Sequence, residues 1–347
     1  MLFRSKIEQD IKLDFKDVLI RPKRSTLKSR SEIDVIREIT FKHSNRTWKG
    51  VPIITSNMDT VSTFDMYYAL SKNKIITCFH KHFNIEDYPD DLDPNYYMLS
   101  TGIHDADIIK LNALIEKLKP YFVCIDVANG YISSVVKTVK ILRNKYPDLT
   151  IICGNVVSRE MVEELLINGG ADVIKIGIGN GSVCTTRLQT GVGMPQLSAV
   201  MECADAAHGC GGHIISDGGI VHVGDFSKAF GAGADFVMSG SMFSGHDESG
   251  DEYIEENGKK YKIYYGMSSA IAMNKYSGGV ANYRSSEGKA VKIPYKGPVQ
   301  DTVDNILGGI RSTCTYIGAS RIKDISKCTT FMMVNNQVNT IHNGREI

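Results

Sequence analysis

Short apolar runs rich in β-branched residues recur along the chain, with amphipathic segments between them. The runs are VPIITSN (51–57), IITCF (75–79), YMLSTGI (97–103), YFVCIDV (121–127), TIICGNV (150–156), VIKIGIG (173–179), HIISDGG (213–219) and FVMSGS (236–241). The stretches between them, such as SSVVKTVKILRNKY (133–146), SREMVEELLING (158–169) and GDFSKAFGAGA (224–234), carry apolar residues at helical spacing. Strand then helix, repeated eight times, predicts a parallel sheet, and eight strands close an α/β (β/α)8 TIM barrel.

Most of the runs end in small or polar residues: SNMDT, DVANGY, GNVV, GIGNGS, SDGG and SGS. A barrel builds its active site at the C-terminal ends of its strands, so function is expected in these segments. Two parts exceed a minimal barrel. Residues 1–46 form a polar, basic N-terminal extension. Residues 243–300 separate the eighth strand from a final helix near 301–317, and they hold an E-N-G-K hairpin signal (256–259) and the stretch SGGVANYRSSEGK. A long insertion on the catalytic face reads as a lid. The expectation is a single catalytic barrel domain over residues 1–347, with the extension and the lid both serving its mouth. The length alone would also fit two domains of about 150 residues each, but barrels commonly run to about 250 residues or more as one.

Forty Lys and Arg stand against 39 Asp and Glu, a net charge of +1, which supplies no global field for a polyanion. Neither a nucleic-acid nor a membrane partner is expected. No signal-like apolar start and no uncharged apolar run of about 18 residues occur, which predicts a cytoplasmic protein. Eight cysteines (78, 124, 153, 184, 203, 210, 314, 328) include no C-x-x-C pair and are expected to be free thiols, seven of them core filler.

The chemistry is concentrated in three places. Asp217-Gly218-Gly219 and Ser239-Gly240-Ser241 end the seventh and eighth strands, where barrels often hold a phosphate on backbone N–H groups. Asp217 would repel a phosphate and suits a ribose hydroxyl pair. G-I-G-N-G-S-V-C-T-T-R (177–187) follows the sixth strand, but Met194-Pro195 interrupts the unit that a dinucleotide fingerprint needs. Cys184 on that Gly-rich loop is a candidate nucleophile, with Thr186 placed to handle a proton. His80-Lys81-His82 is a rival signal. His-x-His at a strand end suits a zinc hydrolase, or is a polar loop and nothing more. His213 lies at the wrong end of its strand for such a site, and His208-x-Cys210-x-x-His213 lacks a fourth ligand.

LDFKDVLIRPKRSTLKSRSEIDV, SNMDTV, HKHF, DVANGY, GNVVS, GIGNGSVCTTRLQTGVGMPQLSAVMECADAAHG, HIISDGGI, GAGADFVMSGSMFSGHDESG, KKYKIYYGMSS, YRSSEGK and LGGIRSTCTYIGA together resemble the IMP dehydrogenase/GMP reductase superfamily over residues 10–340. DVANGY, GMSS and YRSSEGK favour its reductase branch. The resemblance implies NADPH-dependent reductive deamination of GMP to IMP and ammonia, in purine nucleotide interconversion and salvage, through a covalent thioimidate on Cys184. Thr186 and Glu287 match the family's proton-handling pair, which requires the lid to bring Glu287 to the cysteine loop. The implied GMP contacts are Asp217, Gly218, Gly219, Gly240 and Ser241 on the barrel. On the lid they are Gly266, Met267, Ser268, Arg284, Ser285, Ser286 and Gly288.

The NADPH positions implied are Ser29 and Arg30, Lys81, Ala128, Asn129 and Gly130, Tyr283 and Arg284, and Ser312, Thr313, Cys314 and Thr315. Arg30 or Lys81 would answer the 2′-phosphate, which reassigns the HKH signal from metal to cofactor. Relatives hold a monovalent cation, usually potassium, on carbonyls matching Gly179, Gly181 and Cys184, with Arg187 close by, and they are typically homotetramers. Two departures are Asn180 where proline is common, bearing on the loop's stiffness and cation affinity, and Ser241 where a second glycine is common, offering a phosphate one more hydroxyl. The dehydrogenase branch activates water with an Arg-Tyr pair, and no Arg-Tyr dipeptide occurs here. Nor is there room for CBS domains, since some 17 residues separate the second and third strand runs. A catalytically inactive nucleotide sensor is the third reading of the same residues.

Overall fold

The computed structural model describes residues 7–250, 252–283 and 285–335. All eight apolar runs are strands: β1 (Ile53–Thr55), β2 (Ile76–Phe79), β3 (Tyr97–Thr101), β4 (Phe122–Asp126), β5 (Thr150–Val156), β6 (Val173–Ile176), β7 (His213–Asp217) and β8 (Phe236–Ser239). Each pairs in parallel with the next, and β8 returns to β1 through Val237↔Ile53, so the sheet closes into a barrel. The outer helices are α1 (Phe64–Ser71), α2 (Asp105–Leu118), α3 (Ser133–Lys145), α4 (Arg159–Glu163), α6 (Gln196–Gly209) and α7 (Val223–Gly231), while the short α5 (Thr186–Thr190) belongs to the loop after β6. The alternation fails once. Between β2 and β3 there is only a 3-10 turn, Ile85–Asp87, because YPDDLDPN supplies two prolines and no helical stripe.

Alternate residues of a strand face the barrel axis. Ile54, Ile76, Cys78, Met98, Phe122, Cys124, Ile152, Val173, Ile215, Phe236 and Met238 form one buried cluster there. It is sealed at the N-terminal end by a hairpin, Arg37–Thr40 with Thr47–Gly50. The hairpin puts Ile39, Phe41 and Trp48 into the same cluster, with Phe41 edge-on to Phe122 at 5.7 Å and Trp48 5.2 Å from Phe236. This part of the extension therefore plugs the bottom of the barrel, contrary to the expectation that the whole extension serves the mouth. Its apolar side chains fit the otherwise open end of a barrel whose interior is solid. Only the segment around Asp14 reaches the functional face, where its carboxylate receives Arg187 and the N–H of Gln196.

The insertion after β8 is a three-stranded antiparallel sheet of β9 (Ile254–Glu256), β10 (Lys259–Tyr265) and β11 (Ala290–Pro294), with α8 (Ala270–Ser277) between the last two strands. Asn257 and Gly258 turn the first hairpin with φ of 52° and 71°, the pair of positive values that such two-residue turns require. The chain then enters α9 (Val299–Ile317), two residues before the expected start. Among the described residues no helix is long and apolar enough to cross a membrane.

Candidate active site

Two residues beyond the apolar layer, the inward positions turn polar: Asp126 follows Cys124, Lys175 follows Val173, Asp217 follows Ile215. Lys175, 5% exposed, places Nζ 2.8 Å from Asp126 Oδ1 and 2.7 Å from Asp217 Oδ2. Asn57 Nδ2 donates to Asp126 and Asn155 Nδ2 to Asp217, at 2.8 and 2.9 Å. Burial alone would depress the lysine, but the two carboxylates outweigh it and hold the ammonium well above its ordinary pKa. Asp126 is likewise held below the usual carboxylate range despite burial, chiefly by Lys175. Sequence reasoning missed Lys175, Asp126, Asn155 and Asn57. A signal was there: a lone charged residue at an inward position of the otherwise apolar VIKI run.

Above this platform lies a cavity of about 300 Å³, lined by the ends of β1 and β4–β8, by the loop after β6 and by the lid. Cys184 Sγ is 3.2 Å from Thr186 Oγ1, which donates to Glu287 Oε2 at 2.8 Å. Glu287 is 101 residues from Thr186 in sequence. The lid delivers it by a backbone seam in which Thr185 N–H donates to Glu287 O (2.8 Å) and Lys289 N–H to Val183 O (2.9 Å), with Gly288 opposite Cys184. Of the eight thiols only Cys184 lines the cavity. Five are buried as core filler, and burial pushes Cys203 and Cys314 up to about 12. Cys210 and Cys328 are half-buried elsewhere.

Asp217, Gly218, Gly219, Gly240, Ser241, Gly266, Met267 and Ser268 line the same cavity. The Gly218 N–H is committed to Met238 O, whereas those of Gly219, Gly240 and Ser241 have no such partner among the described residues. Three free N–H groups around glycines suit an anion. Gly240 also requires its missing side chain, since a Cβ there would lie 2.7 Å from Tyr264 Oη and 2.9 Å from Met58 Sδ. Ser241 Oγ already donates to Ile220 O at 3.1 Å, so its donor is spent within the protein. Asn180 Nδ2 donates to Asp217 O at 2.8 Å, tying the cysteine loop to the end of β7. Gly288 stands on the seam, Ser285 and Ser286 precede it outside the cavity lining, and Arg284 lies outside the described residues.

The positions assigned to a cofactor fall into separate groups. Ala128 lines the cavity. Asn129 and Gly130 follow it, with Gly130 N–H on Asn155 O. Lys81 sits on the neighbouring rim, 3.1 Å from Asp107. Tyr283 is 93% exposed. Ser29 caps the 3-10 turn Arg30–Glu32, which packs against α9, the helix that carries Ser312, Thr313, Cys314 and Thr315. None of this last group lines the cavity.

On the cysteine loop, Gly181 O already accepts Cys184 N–H. Arg187 packs against Gly179, where a Cβ would come within 2.5 Å of it, and its guanidinium donates to Met194 O and Asp14.

The HKH residues do not form a metal site. His80 stacks on Phe83 at 4.0 Å and His82 on the lid's Tyr276 at 3.8 Å, and burial drives both pKa values down to about 4. Among the described residues one group has metal-like spacing: His208, His213 and Asp235. It lies at the N-terminal end of the barrel, and Arg37 places a guanidinium 2.5 Å from the same carboxylate, where a metal cation would be repelled.

Residues 97–341 match the family described as the IMP dehydrogenase / GMP reductase domain. The chain is 59% identical to a GMP reductase of Phytophthora infestans over 344 residues, covering 97% of this chain and 94% of that one. It is 57% identical to a human GMP reductase 2, covering 96% and 98%, and 56% identical to a GMP reductase of Escherichia coli, covering 98% and 99%. With this identity along nearly its whole length, and with a barrel whose mouth joins the cysteine loop to the lid, the chain belongs to the IMP dehydrogenase / GMP reductase family.

Proposed function

We propose that the protein catalyses the NADPH-dependent reductive deamination of GMP to IMP and ammonia. The observation that carries this reading is the hydrogen-bonded line from Cys184 through Thr186 to Glu287 at the edge of the cavity. The free N–H groups of Gly219, Gly240 and Ser241 take the 5′-phosphate, and Asp217 is left facing the ribose. The Cys184 sulfur adds to C2 of the purine as its proton passes to Thr186 and Glu287. The pair then returns a proton to the 2-amino group, the C2–N bond breaks, and ammonia leaves a covalent thioimidate. NADPH, when bound, supplies the hydride that C2 requires. The C–S bond then breaks, releasing IMP, and the thiolate takes one proton from solvent to restore the thiol. Ala128 stands at the cavity edge for the nicotinamide end, and Lys81 or Arg30 supplies the cation for the 2′-phosphate.

Carbonyls of Gly179, Gly181 and Cys184 offer only oxygen donors, the set that replaces the hydration shell of potassium. The ion would brace the cysteine loop and take no part in proton transfer. We read the assembly as a homotetramer, checked by light scattering. The decisive experiment follows absorbance at the NADPH band with GMP, then with IMP and NAD. Cys184→Ala is expected to abolish NADPH oxidation while GMP still binds. Unchanged oxidation in that variant would sink the covalent route, and reduction of NAD with IMP would move the protein to the dehydrogenase branch.

A further inference from the structure

Asp59 lies on the loop after β1, three residues past Ser56 of the cavity rim, and its side chain is 4% exposed. One oxygen, Oδ2, accepts three bonds: from Tyr265 Oη at 2.5 Å, Tyr276 Oη at 2.7 Å and Lys275 Nζ at 3.0 Å. The other, Oδ1, is buried with no partner among the described residues. All three donors belong to the lid and lie 206 to 217 residues away in sequence. Among the described residues no group of its own loop bonds this carboxylate, so the lid's donors alone compensate its burial beneath the lid. Burial opposes its charge, but the three donors outweigh burial and keep its pKa below the ordinary value.

The lid carries this attachment straight to the reacting groups. Tyr265 is paired with Ala290 across β10 and β11, and Gly266 N–H bonds Lys289 O. Lys289 and Glu287 are the residues that make the seam with Val183 and Thr185. A shift of Tyr265 is therefore passed through two rungs of sheet to the carboxylate bonded to Thr186.

We propose that Asp59 is a positioning residue for the reaction: its three bonds to Tyr265, Lys275 and Tyr276 set the height of the lid and so hold Glu287 on Thr186. The inference rests on the reductase reading for its kinetic arm only. It concerns a carboxylate outside the cavity lining.

The test uses the full chain with Asp59→Ala, Asp59→Asn and Tyr276→Phe. Two readouts are taken: kcat and KM for GMP with NADPH, and hydrogen exchange at the Thr185 and Lys289 amides. Asp59→Ala is expected to lower kcat by about 10²-fold, the usual effect of misplacing a catalytic group by about 1 Å, with KM for GMP changed much less. Exchange at Thr185 and Lys289 should accelerate, while amides of β7 keep their protection. Asp59→Asn keeps an acceptor oxygen in place but not its charge, so it should recover about half of the lost activation free energy, a kcat about tenfold below wild type. Tyr276→Phe removes one donor from the lid side without touching the β1 loop, and it should move both readouts in the same direction by less. Trp48, the sole tryptophan, lies in the bottom plug and reports that the barrel remains folded. Unchanged kcat in Asp59→Ala overturns the proposal, as does a fall in kcat with unchanged exchange at the seam. Wild-type protein that fails to oxidise NADPH with GMP refutes the reductase reading instead, and the exchange arm still decides whether Asp59 holds the lid.

Discussion

At the bottom of the barrel Asp235, 1% exposed, is surrounded on every side: Arg37 at 2.5 Å, His208 Nε2 at 2.9 Å, His213 Nδ1 at 3.3 Å and the N–H of Ile214 at 2.9 Å. Asp172 beside it is treated alike by Arg143 and by the N–H groups of His43, Ser44 and Ile151. At the top, Asp126 and Asp217 share one lysine and face a cavity. On the strands that carry the platform, a step of only two residues separates apolar layer from polar platform. Where protein donors surround the carboxylates, charge serves stability. Where lone pairs and N–H groups point into a cavity, the same kind of charge is available to a ligand.

The most severe way to break this contrast is to remove one charge from each end. Lys175→Met leaves Asp126 and Asp217 uncompensated, which should cost about 3–5 kcal/mol in a denaturant titration and also abolish NADPH oxidation with GMP. Arg37→Met should destabilise by a comparable amount, since Asp235 is more deeply buried than Asp126 or Asp217 but keeps His208 and the N–H of Ile214 as partners, yet leave turnover per folded molecule unchanged. If Arg37→Met impaired turnover as Lys175→Met does, the division of labour between the ends would be wrong.

Acid separates the ends more gently. The folded pKa of His82 is about 4, below the 6.5 of the unfolded chain, so between those values the unfolded state binds more protons and acid weakens the lid contact with Tyr276. His208 is raised, chiefly by its bond to Asp235, so its contribution is fully present below pH 6.5 and is lost as pH rises through the folded value. Going from pH 7 to pH 5, hydrogen exchange should therefore speed up around 276 and stay slow at the start of β7, after correction for intrinsic rates. His82→Gln is expected to reduce the effect at the lid, leaving the part that His80, also lowered to about 4, contributes.

The smallest expected effect concerns the hairpin far from the cavity. Gly258 has φ of 71° and open space around its Cα, so Gly258→Ala carries only the left-handed backbone penalty of about 1–2 kcal/mol. Kinetics with GMP should be unchanged, because β9 and its turn supply no side chain to the cavity.

Much of this was legible in the sequence. Apolar runs of strand length recur because both faces of a barrel strand are buried, and that pattern survives whatever the loops do. The missing helix between β2 and β3 was also written there, in YPDDLDPN, but the regularity of the other repeats hid it. Cys184 could be singled out by its glycine-rich surroundings. Lys175 was visible as a lone charge in the apolar VIKI run, but not its direction, because a strand's inward parity has no reference until the barrel closes.

What the sequence determined by itself is therefore local: the strand and helix periods, the Asn257-Gly258 turn, and the glycines at 218, 219 and 240 that line the cavity. Only the tertiary structure decided that Phe41 and Trp48 plug the bottom, that Lys175 lies between two carboxylates, and that Asp59 meets three donors more than 200 residues away. These are contacts of high sequence separation, fixed by closure of the sheet and docking of the lid, and no period or motif along the chain encodes which ends will meet.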